Sequence, residues 1–194
     1  MKKTFVFIVF VAFSLATFAQ TSSGIWNGKT ATYTNTTHKI TWQLIEEAEW
    51  VGRPIIGEGV LLKVRNDDTH ILVKLCATKA NPGDEDAWDS ISMYESPEFQ
   101  EIPKQQAAYF GMEYVGTKAV KSQLCGIHAV KTRTDMKKYY PEYKQTVHSI
   151  DISYFLIRNG YIYSVGVTAI SVLEEEIEIF DRIATELFNG FKIN

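Results

Sequence analysis

The sequence predicts an α+β domain built on a predominantly antiparallel sheet, and three observations carry that prediction. Asn159-Gly160 sits between two runs of alternating polarity. That is the mark of a two-residue hairpin, whose turn needs φ > 0 at both positions, a geometry Asn-Gly tolerates best. A second pair of alternating runs, Val60/Leu62/Val64 and Ile71/Val73/Leu75/Ala77, flanks the turn chemistry of Asn66-Asp67-Asp68-Thr69. Near the end, Leu173, Ile177, Phe180, Ala184 and Leu187 step by four, three, four and three, which makes one apolar helical stripe.

Residues 1–19 read as a secretory leader outside that domain. Lys2 and Lys3 are followed by an apolar run over 5–15, and Ala16-Thr17-Phe18-Ala19 places small residues where a signal peptidase reads, so cleavage is expected before Gln20. The run is shorter than the roughly 18 residues of a spanning helix. No Cys stands at the cleavage site, so the chain is not expected to be a lipoprotein, and nothing later is apolar enough to span. The expectation is a periplasmic or secreted protein. Removing 19 residues with two lysines takes the formal net charge from −3 to −5. That argues against nucleic acid as a partner, since such binders carry a basic footprint.

Residues 20–37, rich in Thr, Ser and Asn, are expected to be an exposed lead-in. Their sequon Asn35-Thr36-Thr37 counts only in a eukaryotic host. Residues 38–194 have the length of a single domain able to bury a core without staples. Lys39 to Leu44 alternate as a strand, and Asn81-Pro82-Gly83 ends the hairpin formed by 60–77. Two short helices are expected next. Asp84 caps the first, with Ala87, Trp88, Ile91 and Tyr94 on one side. Pro103 opens the second, which buries Ala107, Phe110 and Tyr114.

The Asn159-Gly160 turn fixes a register. It sets Leu156 against Tyr163, Tyr154 against Val165, Ile152 against Val167 and Ile150 against Ala169, an apolar face; Asp151, Ser153, Ser164 and Thr168 fall on the other. A helix is then expected over 172–189, with Ser171 and Glu174 as a capping box. Three glutamates, 174–176, would sit at its positive dipole end, as a helix start rather than a metal site. Asn189-Gly190 is read as the stop, after which Phe191 folds back.

Little in the chain looks like chemistry. Cys76 and Cys125 have the parity for one disulfide in an oxidising compartment, and equally suit two small buried hydrophobes. Leu124-Cys125-Gly126-Ile127-His128 puts a thiol three residues before an imidazole. In an extended strand these point to opposite faces and cannot share a proton, unless a bulge at Gly126 resets the alternation. His128 and His148 alone make an incomplete zinc site. There is no G-x-S-x-G elbow or phosphate loop, and Gly57-Glu58-Gly59 lacks the rest of a dinucleotide fingerprint, so no cofactor is expected. One segment, 131–144, gathers Lys131, Arg133, Lys137, Lys138 and Lys144 with Tyr139, Tyr140 and Tyr143. It is expected to be a loop between strands, either a partner-binding surface or a solvated loop with tyrosines on the sheet.

The last third resembles the Mog1/PsbP-like superfamily. The resemblance lies in a strand opening Gly126-Ile127-His128-Ala129, a long hairpin returning through Tyr161-Ile162-Tyr163, and a final helix closing on Leu187-Phe188-Asn189-Gly190-Phe191. It covers about 98–194, with weaker agreement near 39–50, where Trp50 is present without the family's usual proline. It implies a three-layer α/β/α sandwich, with helices on both faces of the sheet, and a non-catalytic module that docks on larger assemblies. Three functions are therefore entertained. The first is an exported binding or assembly module whose partner is another envelope or secreted protein. The second is a hydrolase using His128 or His148 with carboxylates. The third is a carrier of an apolar small molecule, suggested by 10 Tyr, 11 Phe and 4 Trp, part of that Phe lying in the leader.

Overall fold

The computed structural model describes residues 24–53, 55 and 58–194; the leader and its cleavage site fall outside them. Alternating segments fold as two antiparallel sheets. The larger runs β4 (Trp50–Gly52), β5 (Val60–Asn66), β6 (Ile71–Lys79), β10 (Tyr161–Leu173), β9 (Gln145–Arg158), β8 (Ile127–Tyr140) and β7 (Glu113–Leu124) in spatial order. The smaller is β1 (Gly24–Asn27), β2 (Thr32–Asn35), β3 (Ile40–Gln43) and β11 (Phe191–Ile193). Between β6 and β7 come a 3₁₀ turn (Ala87–Ser90), α1 (Ile91–Tyr94) and α2 (Pro97–Tyr109). After β10 come a second 3₁₀ turn (Glu174–Glu176) and α3 (Ile177–Asn189).

The Asn-Gly turn is as its chemistry requires, with Asn159 at φ 51° and Gly160 at φ 73°. It sets the pairing Leu156–Tyr163, Tyr154–Val165, Ile152–Val167 and Ile150–Ala169. The same apolar row continues onto Ala77, Leu75, Val73 and Ile71 of β6. This face carries the main core. α3 lays Phe180, Ala184, Leu187 and Phe188 on it, and the small sheet adds Tyr33, Ile40, Trp42 and Phe191. Trp42 Nε1 donates to the Leu187 carbonyl at 2.7 Å, tying the small sheet to α3. On the other face Ala87, Tyr94, Ile91, Met93 and Phe99 pack on Ala119, Val130, Phe155 and Ile157, so the first helices cover β7, β8 and β9. Helix, sheet and helix form the expected three layers.

Several boundaries differ from the sequence reading. The lead-in is not an exposed tail. Its described part is the β1–β2 hairpin, with Tyr33 and Asn35 buried in the core. α2 begins at Pro97, six residues before Pro103, because Ser96 Oγ accepts the Phe99 N–H at 3.2 Å and Pro97 takes the first-turn position. Pro103 is interior, and the shift turns Phe110 outward and leaves Tyr114 in β7. The first helical turn is capped by Asp86, not Asp84, through Asp86 Oδ1 and the Trp88 N–H at 2.9 Å. At the last helix, Val172 and Leu173 still pair with β9, so the helix starts late. Glu176 rather than Glu174 reaches back, accepting the Leu173 N–H at 2.9 Å.

Candidate functional site

The segment 131–144 is strand for most of its length. The loop is only 141–144, at the tip of the β8–β9 hairpin, because alternation persists to Tyr140, which pairs with Gln145. Pro141 then starts a tight reversal. Tyr143 and Lys144 N–H groups donate to the carbonyls of Tyr140 and Pro141 at 3.2 and 3.3 Å, and Lys144 takes φ 52°. Strand pairing separates the predicted residues into two groups. Lys131 lies over the Tyr154 ring at 5.6 Å, and Arg133 is held by Asp135 and by Asp181 of α3, at 3.1 and 2.5 Å. Those two cations belong to the packing of the sheet. Lys137, Lys138, Tyr139, Tyr140, Tyr143 and Lys144 remain together at the tip.

The end of α2 joins them. A Cβ added to Gly111, in the α2–β7 turn, would stand 3.6 Å from Lys138 Nζ, so the two turns are neighbours. Tyr109 and Phe110 meet edge-on at 5.2 Å between ring centres. Tyr109 is 73% exposed, Tyr143 70%, Tyr139 57% and Phe110 54%. Lys138 caps the Tyr140 ring at 5.1 Å, and Lys137 faces Glu113 at 3.6 Å. Alternation puts Lys137 and Tyr139 on the α3 face of β8 and Lys138 on the face of α2, so exposed aromatic side chains and lysines surround the tip on both faces, with the composition of binding hot spots. The contribution of Tyr109 and Phe110 is invisible if the helix is started at Pro103; Ser96-Pro97 was the signal that would have found it.

The histidines do not assemble. Positions on β8 and β9 put His128 on the α1–α2 face near the start of β8, whereas His148 lies opposite Lys137 on the α3 face. His128 Nδ1 is 2.7 Å from Asp86 Oδ2 and its ring stacks on Trp88 at 3.5 Å and 6°. The His128 hydrogen bond, with that of the Trp88 N–H, holds the Asp86 carboxyl below its ordinary range. His148 Nε2 pairs with Glu174 at 2.7 Å.

Cys125 and Gly126 are themselves the β7–β8 turn, at φ 55° and 75°, so the chain reverses there rather than running on as one strand. Thiol and imidazole still diverge. Cys125 Sγ donates to the Phe191 carbonyl at 2.7 Å on the α3 side. Burial pushes this thiol up, away from the reactive thiolate. Cys76 and Cys125 are both free, and the disulfide that parity allowed is not formed. Cys76 is buried on β6, on the face opposite the Leu75 and Ala77 core, while Cys125 sits in a turn on the other side. No group of three or more metal-binding side chains occurs among the described residues. Nor, among them, is any helix long and apolar enough to cross a membrane.

No family model and no curated protein matches the sequence. Solved structures do match. The cyanobacterial PsbP protein CyanoP of Synechocystis sp. PCC 6803 superposes at TM-score 0.51 with 12% identity, over 84% of this chain and 91% of that one. The Ran-binding protein Mog1p of Saccharomyces cerevisiae matches at TM-score 0.43 and 8% identity, over 82% and 93% of the two chains. LpqN of Mycobacterium tuberculosis, involved in cell envelope biogenesis, matches at 0.45 and 11%, over 80% and 83%. The likeness to CyanoP gives the chain a PsbP-like fold.

Proposed function

We propose that the chain is an exported, non-catalytic binding module that docks on another envelope or secreted protein through the tip formed by the α2–β7 and β8–β9 turns. The exposure of Tyr109, Phe110, Tyr139 and Tyr143 around the tip, together with Lys137, Lys138 and Lys144, carries this reading. Rings of this size left in water are stabilised by burial against a partner, and lysine stems can cover their rim. Export rests on the leader-like pattern of residues 1–19. The hydrolase alternative loses its basis in the separation of His128 from His148, each already engaged by its own carboxylate.

The test is photo-cross-linking from the tip. A benzophenone side chain at position 143, in mature protein mixed with envelope extract, is expected to capture one defined protein. The same group at position 46, in the loop between β3 and β4, is not. Tyr139→Ser with Tyr143→Ser is expected to weaken binding of the captured protein by about 2 kcal/mol or more, roughly thirtyfold, without lowering the unfolding midpoint. Equal capture from both positions, or full retention by the double variant, rejects the tip as the docking surface.

A further inference from the structure

The β8–β9 hairpin outlasts both of its neighbours. β7 begins at Glu113, opposite Lys137, and β10 ends at Leu173, opposite Val147, itself the partner of Lys138. Beyond that row only the pairs Tyr139–Thr146 and Tyr140–Gln145 and the 141–144 turn remain, a two-stranded finger about 10 Å long. Among the described residues no strand lies along its outer edges, and a bare two-stranded ribbon is marginal in water.

Its rings point both ways. Tyr139 lies on the α3 face, Tyr140 on the other beneath Lys138, and Tyr143 stands exposed in the turn. A flat partner surface covers one face of such a ribbon and leaves the other in water. A concave one covers both.

The charges at the base of the finger are sorted by side. Toward β7 and α2 stand Lys138, next to Gly111, and Lys104, 6.0 Å from the centre of the Tyr114 ring. Lys137 on that side is answered by Glu113 at 3.6 Å. Toward β10 stand Glu174, Glu175 and Glu176, all exposed. Glu174 is 2.7 Å from His148, and Glu176 accepts the Leu173 N–H. The finger therefore rises between a lysine side and a glutamate side.

We propose, on the docking role above, that the finger enters a cleft in its protein partner whose two rims carry opposite charge. The rim is acidic where it meets Lys104 and Lys138 and basic where it meets Glu174 and Glu175. Tyr139, Tyr140 and Tyr143 lie against the apolar walls between. A uniformly acidic surface, whether protein or anionic lipid, would be repelled by the glutamates. Opposed rims satisfy both sides and fix the orientation of entry.

The experiment uses the mature protein with benzophenone at position 139, on one face, or at position 110, on the other. The protein captured from position 143 serves as the probe. Both positions are expected to cross-link that same protein, at two distinct segments of it. Lys104→Glu with Lys138→Glu is expected to lower its affinity about tenfold or more, and Glu175→Lys about threefold or more. Both effects shrink between about 50 mM and 0.5 M salt, with unfolding midpoints unchanged. Adducts from one face only, or from both faces on one shared segment, mean a flat surface and overturn the cleft while leaving docking by the tip in place. Unchanged affinity in the charge variants, or tighter binding by Glu175→Lys, overturns the opposed rims. Sedimentation of the mature protein with phosphatidylglycerol vesicles, abolished by the double lysine variant, makes a membrane the occupant and also overturns the proposal. No capture from position 143 rejects docking and cleft together.

Discussion

Gly190 gives the sharpest single-residue test of how the two sheets are joined. It follows α3, where a glycine ordinarily serves because only it adopts a left-handed φ without cost. Here φ is −76° and ψ −12°, an ordinary helical conformation open to any residue. What excludes a side chain is the neighbouring backbone. A Cβ at 190 would lie inside the van der Waals shell of the Gln43 carbonyl oxygen and 3.0 Å from the Gln43 carbonyl carbon. Restoring normal contact, ~3.5 Å or more, requires β3 and the chain at 190 to part by about 1 Å or more. That breaks the 3.0 Å bond from the Gln43 N–H to the Gly190 carbonyl and strains the neighbouring 2.7 Å bond from Trp42 Nε1 to Leu187. It also lifts Phe191 from its place against Trp42, 5.4 Å between ring centres. Two hydrogen bonds at about 1 kcal/mol each, with partial loss of one aromatic seat, bring Gly190→Ala to about 3 kcal/mol, near the top of the usual range for overpacking. With a urea m-value near 2 kcal/mol/M, the midpoint falls by about 1.5 M. Gly190→Asn separates the two explanations. At a left-handed cap Asn is tolerated, but at a close approach it is no better than Ala. A loss under about 0.5 kcal/mol for Ala, or clear rescue by Asn, refutes the reasoning.

At the β9–β10 turn, Gly160→Val forces a β-branched residue to φ 73° and is expected to cost about 1–2 kcal/mol by the same urea assay. Asp151 accepts from Ser153 Oγ at 2.8 Å and Thr168 Oγ1 at 2.6 Å, but burial outweighs those bonds and holds its carboxyl above the ordinary value. A raised carboxyl opposes folding above its folded pKa, and the penalty disappears as pH falls through that value toward ~4. Asp151→Asn should therefore be as stable as the parent or more stable at pH 7, with the gap closing in acid; a gap that widens as pH falls contradicts this. A thiol reagent should modify exposed Cys125 in the native protein and buried Cys76 only on unfolding, read by mass spectrometry. Native labelling of Cys76 first would reverse their assigned places.

Much of the fold was legible because its signals are local. Asn159-Gly160 dictates a turn, the turn dictates a register, and the register sorts Ile150, Ile152, Tyr154 and Leu156 from Asp151 and Ser153 with no further information. The missed features depend on contacts distant in sequence. The Thr-rich composition of 20–37 suggested exposure, but Tyr33 and Asn35 are buried because β11, from the far end of the chain, completes their sheet. Alternation in 131–140 was masked by charged and aromatic residues. Lys131 and Arg133 occupy positions on the α3 face because α3 brings Asp181, and Phe188 meets edge-on the same Tyr154 that Lys131 covers. Cys125 and His128 were correctly set apart, though by a reversal at Cys125-Gly126 rather than by one continuous strand. Of the candidate surface, the tyrosines and lysines could be read directly; Tyr109 and Phe110 required the correct phase of α2. The setting of His128 was unreadable, since Asp86 and Trp88 reach it from an element far away in the chain.

The small sheet is stitched from segments far apart in sequence, with Phe191 against Trp42, Ile193 against Ile40, and the Asn194 N–H on the Lys39 carbonyl. Synthesis proceeds from the amino end at about 5–20 residues per second. Throughout that time β1, β2 and β3 hold an unfinished edge, and Trp42 waits for the carbonyl it must bond. Closure thus waits for β11: a chain cut before Phe191 leaves the edge of β3 without its partner strand.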